Sequence, residues 1–85
     1  MTRYIIYKDV SLRPLTDKIV VYKKEEPFII KGLGAHILQE INNGEDHEKI
    51  LNDITANYEI NESIASKDLD EFIEFLLKKQ IISKA

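Results

Sequence analysis

The sequence predicts an α+β fold in which three antiparallel strands come first and three helices follow. Two patterns carry that expectation. Residues 4–31 are rich in β-branched and aromatic residues set between turn formers, and from Gly34 onward apolar residues recur at helical spacing.

The strand-like region opens with Tyr4-Ile5-Ile6-Tyr7, alternates through Val10-Ser11-Leu12-Arg13 and stops at Pro14. Thr16-Asp17 is a turn, and Lys18-Ile19-Val20-Val21-Tyr22 reads as the second strand. Lys23-Lys24-Glu25-Glu26 is a polar hairpin connection. Pro27 has no N–H to give to a ladder, which suits the first residue of an edge strand, and Phe28 to Lys31 completes the third strand of a small meander.

In the first helix Gly34, Ile37, Leu38 and Ile41 fall at i, i+3, i+4 and i+7, and Asn42-Asn43-Gly44 supplies a left-handed stop. Asp46 caps the second helix, where Ile50, Leu51, Ile54 and Tyr58 line one side until Asn57 to Asn61 breaks it. Ser63 or Asn61 caps the third helix, about Ile64 to Lys79, and Ile81-Ile82 is an apolar tail that folds back on the core. Strands and helices in this order give a winged helix-turn-helix.

At 85 residues, 44% hydrophobic and 32% charged, the chain reads as a single domain, 1–85, with one core and little room for a deep substrate cavity. The absence of cysteine excludes disulfides and thiolate metal sites. With no signal-like N-terminus and no apolar run of membrane-spanning length, the expected location is the cytoplasm. A net charge of −3 and a pI near 5.3 argue against nucleic-acid and membrane partners.

The third helix carries more apolar surface than a core needs. At 100° per residue Ala65, Leu69, Phe72, Ile73 and Leu76 form one stripe, with Phe75 and Leu77 at its two margins. The arc is about 200° wide, against the roughly 100° that a surface helix requires. Its remaining face carries Asp68, Asp70, Glu71 and Glu74, the wrong sign for a helix lying in the major groove, so a winged-helix DNA-binding regulator is disfavoured. Self-association through the Phe28 to Lys31 edge is a further alternative.

Catalytic and metal signals are weak. His36 and His47 lie on different helices with no cysteine to join them, and the acids of Glu45-Asp46-His47-Glu48 are explained by capping and the helix dipole. Gly32-Leu33-Gly34 lacks the third glycine of a dinucleotide fingerprint. No nucleophile has an identifiable base and orienting group. The expectation is a non-enzyme with no cofactor and no metal.

The chain resembles the PqqD-like family, the domain also called the RiPP recognition element, from about Val10 to Ile82. The likeness rests on Val10-Ser11-Leu12-Arg13-Pro14, Ile30-Lys31, Gly34-Ala35, Ile37-Leu38, Gly44, Glu48, Ile50, Tyr58, Asp68-Leu69, Phe72, Leu76 and Ile81-Ile82. The family commonly has Leu-Asn where Ile30-Lys31 stands, so the first helix should lack a side-chain cap.

The resemblance implies binding of the leader segment of a ribosomally made precursor peptide, added as a strand beside the third strand and packed on the third helix. It assigns Phe28, Ile29, Ile30 and Lys31 to backbone pairing and Leu69, Phe72, Phe75 and Leu76 to apolar contact, with core packing the alternative for Leu69, Phe72 and Leu76, which lie on the central stripe. Asp68 and Lys79 would make polar contacts. The partner would be a processing enzyme, either a leader peptidase or cyclase of a lasso peptide pathway or a radical SAM enzyme of pyrroloquinoline quinone synthesis. The abundance of Lys, Ile and Asn, typical of AT-rich genes, inclines the reading to the lasso pathway.

Overall fold

A computed structural model describes residues 2–24 and 26–85. Its elements in order are β1 (Tyr4–Ile6), β2 (Val10–Pro14), β3 (Lys18–Lys23), β4 (Glu26–Lys31), α1 (Gly32–Asn42), α2 (His47–Tyr58), α3 (Glu62–Lys78) and β5 (Ile82–Lys84). β2, β3 and β4 form an antiparallel sheet in that order, and the three helices follow it, an α+β winged helix-turn-helix. The expected third strand is β4, at the sheet edge. Glu25, in the expected hairpin connection, lies outside the described residues.

The first strand of the expected meander needs correction. The stretch from Tyr4 to Arg13 is two strands, because a turn at Lys8-Asp9, closed by Val10 N–H donating to the Tyr7 carbonyl at 3.1 Å, redirects the chain. β1 leaves the meander and pairs with β5, Ile5 opposite Ser83 and Ile6 opposite Ile82, in a second sheet. The Ile81-Ile82 tail does fold back on the core, with both side chains fully buried.

Helix starts follow their caps. The Asp46 carboxylate accepts from Lys49 N–H at 2.9 Å, and Asn61 Oδ1 accepts from Ser63 N–H at 2.8 Å, so α3 begins at Glu62 rather than Ile64. Lys31 precedes α1 without a side-chain cap bond. Gly32 makes the passage from β4 to α1 at φ +59°, a left-handed backbone that favours glycine, and its N–H donates to the Asp17 carbonyl.

The core gathers Val21 of β3, Ile37, Leu38 and Ile41 of α1, Ile50 and Ile54 of α2, and Ala65, Leu69 and Leu76 of α3 around Ile81 and Ile82. Among the described residues no helix is long and apolar enough to cross a membrane.

Candidate functional site

The free edge of β4 has a definite hydrogen-bonding parity. Gly32 N–H bonds to Asp17 across the ladder, and in an antiparallel pair bonded and non-bonded positions alternate. The register then directs the main-chain groups of Ile30, Phe28 and Glu26 toward β3 and those of Lys31, Ile29 and Pro27 outward. The outward set offers the N–H and C=O of Ile29, while Pro27 offers only its carbonyl. Side chains alternate too: Phe28 and Ile30 turn to the core, and Ile29 is 53% exposed.

Facing this edge is one stripe of α3. Asp68, Glu71, Phe72, Phe75 and Lys79 fall at i, i+3, i+4, i+7 and i+11, so they share a face, displaced by roughly a quarter turn from the buried Ala65, Leu69, Ile73 and Leu76. Phe72 and Phe75 stack with ring centroids 6.0 Å apart, and Phe75 is 41% exposed. The Lys79 ammonium stands 6.0 Å from the Phe75 ring centre.

Two hollows meet at Phe75, one between β4 and α3 and one between α1 and α3. One, of about 1150 Å³, is lined by Lys23, Lys24, Glu26, Pro27, Phe28, Phe75 and Lys79. The other, of about 380 Å³, is lined by Leu33, Gly34, Ile37, Asp68, Glu71, Phe72 and Phe75. Gly34 sets the depth of the second: a Cβ there would stand 3.0 Å from Ile30 Cγ2 and 3.1 Å from the Phe72 ring. Lys23 ties down the first, its ammonium donating to the Gln80 carbonyl at 2.7 Å and lying over the Tyr7 ring.

Of the residues singled out from sequence, Phe28, Phe72, Phe75, Asp68 and Lys79 line the hollows. Ile29 and Lys31 lie on the outward parity of the edge, and Ile30, 8% exposed, is core beneath it. Leu69 and Leu76 are fully buried and support the wall from behind. Sequence reasoning missed Lys23, Lys24, Glu26, Leu33, Gly34, Ile37 and Glu71 as lining residues. The signal for Gly34 was present: a glycine inside a helix costs about 1 kcal/mol relative to alanine and asks for a close approach.

Away from the groove, Glu40, Glu45 and Asp53 bring carboxylate oxygens within 4.8 Å of one another. Lys49 answers this charge, its ammonium 2.8 Å from Asp53 and 4.0 Å from Glu45. Burial, then hydrogen bonding to Asp53 and its charge, pushes the Glu40 carboxyl up to about 7, while Lys49 and Glu40 hold Asp53 down. His47, from the acidic run at the start of α2, meets the Tyr4 hydroxyl at Nδ1, 2.9 Å away, and Asp46 of the same run is the cap. Burial and the Asp70 charge raise the Tyr4 phenol.

Residues 19–82 match the family model described as coenzyme PQQ synthesis protein D (PqqD). No curated protein matches the chain. Among solved structures the chain is similar to one described as TbiB1 in complex with the TbiA(beta) leader peptide. The likeness has a TM-score of 0.86 at 22% identity over 92% of this chain and 93% of that one, a likeness of fold.

Proposed function

Because the chain belongs to the PqqD family, we propose that it is a non-catalytic carrier of a ribosomally made precursor peptide, whose leader segment adds as a strand to β4 against α3. The observation that carries this reading is the pairing of an open strand edge, with Ile29 main-chain groups unengaged by the sheet, and a facing wall where Phe75 is exposed. Main-chain bonds hold a peptide whatever its sequence, and the aromatic wall reads its side chains. The leader bound in the TbiB1 structure supports the reading.

Binding serves delivery. A held leader keeps the attached core peptide close to a processing enzyme and raises its effective concentration without chemistry here. The exposed carboxylates Asp68, Asp70, Glu71 and Glu74 on α3 disfavour the DNA-binding alternative. The processing enzyme we favour is the leader peptidase of a lasso peptide pathway. The family description favours a second reading, service to a radical SAM enzyme of quinone synthesis. Co-purification with each enzyme separates the two.

The test is titration of candidate leader peptides into isotope-labelled protein. Amide shifts should appear together along Phe28 to Lys31 and Asp68 to Lys79. Shifts at neither wall, for any leader, would end the proposal. Phe75→Asp should keep the fold and weaken leader binding at least roughly tenfold, since it loses an aromatic contact of about 1.5 kcal/mol or more.

A further inference from the structure

The groove has a charge order. Asp68 and Glu71 stand beside Leu33 and Gly34 at one end, Lys24 and Lys79 beside Pro27 at the other, with Phe72 and Phe75 between. Glu26 also lines the cationic end, and Lys23 there is partly spent on the Gln80 carbonyl and on Asp9 3.8 Å away, yet cations outnumber acids among the described lining residues. Asp68, Glu71 and Lys79 make no ion pair among the described residues. The helix dipole accounts for acids only in the first turn, and Asp68 and Glu71 lie beyond the first turn of a helix that begins at Glu62.

We propose that this order selects and orients the peptide: a basic side chain over Asp68 and Glu71, apolar side chains over Phe72 and Phe75, and an acidic side chain over Lys79 and Lys24. The proposal rests on the leader-binding reading and adds what the leader must carry. β4 ends, and α3 begins, at the acidic end, so the two walls run in opposite directions. A strand added antiparallel to β4, the slightly stronger pairing, therefore begins at the acidic end. Its basic residue precedes its acidic one.

The spacing follows from geometry. Asp68 and Lys79 are separated by about 16 Å of helix, which an extended peptide covers in about five residues. Side chains facing the same wall come at every second position, so the base and the acid stand about four or six residues apart, with apolar residues at the alternate positions between them.

Three fluorescein-labelled peptides of one length test this by anisotropy: Lys-to-Glu order, the reversed order, and a version with Gln in place of both charges. The first should bind roughly fivefold tighter than the reversed peptide at low salt, the worth of two exposed ion pairs. The gap should close as salt shortens the screening length. The double variant Asp68→Lys, Lys79→Glu, with its fold checked by circular dichroism, should lose the preference, because each end then pairs a cation with an acid, Lys24 and Glu71 being unchanged. Equal binding of all three peptides would overturn the charge order while leaving strand addition standing. A reversed preference in the native protein would overturn the antiparallel docking, and binding by none would overturn the leader-binding reading itself.

Discussion

Gly34 lets the first helix, the edge strand and the third helix converge. Its missing Cβ leaves room for the Phe72 ring and the Ile30 side chain, which a Cβ would crowd at 3.1 and 3.0 Å. Gly34→Val should push that ring outward, cost about 1–3 kcal/mol by overpacking, and weaken leader binding together with stability, as denaturant midpoints and peptide titration would show. Phe75 was legible because it sits at the margin of an over-wide apolar arc. Leu69 and Leu76 sit near the centre of the same arc, and the core claims them. Glu40 was not legible, since its environment is assembled from α1, the α1–α2 connection and α2. Its carboxyl, near 7 when folded, gives the native state the greater proton uptake between its ordinary value and about 7, so stability should fall as pH rises through that window. Asp53, held low, acts oppositely: its contribution is present above the ordinary carboxylate range and lost as pH falls through its depressed value. Glu40→Gln keeps a donor for Asp53 without the titration. Thermal melts from pH 5 to pH 8 should be flatter for this variant, with the higher melting temperature of the two at the alkaline end.

At the scale of elements, the parity of β4 separates two roles within one strand. Ile29 turns its N–H away from β3, so Ile29→Pro removes a donor that the folded chain does not use, and edge strands tolerate proline. Stability should change by less than about 1 kcal/mol while leader binding is lost, because a peptide strand would face two prolines in a row of outward positions, 27 and 29. Phe28→Pro is the control. Its N–H belongs to the β3 ladder, and its removal, which leaves a β3 carbonyl without a partner, should cost about 1–3 kcal/mol in a urea melt. Equal behaviour of the two variants would show that the parity is wrong. The sequence announced β4 through Pro27 and its β-branched residues. The parity needed a register, which alternation alone leaves free to slip by one residue until β3 and the Gly32 turn fix it.

Over the whole molecule, the separation of β1 from the meander was hidden because its partner is the other end of the chain. Local pattern shows that Tyr4 to Ile6 is a strand and that Ile81-Ile82 is apolar, but only the fold brings Ile6 opposite Ile82. That pairing also anchors the groove. Ile81 N–H donates to the Leu76 carbonyl, Tyr7 N–H to the Ile81 carbonyl, and the Lys23 ammonium to the Gln80 carbonyl, so the end of α3 that carries Phe75 and Lys79 is tied to β1 and to the β3–β4 hairpin. Ile82 is fully buried at this junction. Ile82→Ala should therefore cost about 2–4 kcal/mol. The loss should be uneven: amide exchange should quicken first in β1, β5 and the last turn of α3, ahead of α1 and α2. Leader affinity should fall with it, although Ile82 lines neither hollow, because a loosened α3 terminus leaves the aromatic wall unfixed before the peptide arrives. Uniform loss of protection across the helices, with leader affinity unchanged under conditions where the variant is folded, would show that the two ends of the chain stabilise the domain without positioning the groove.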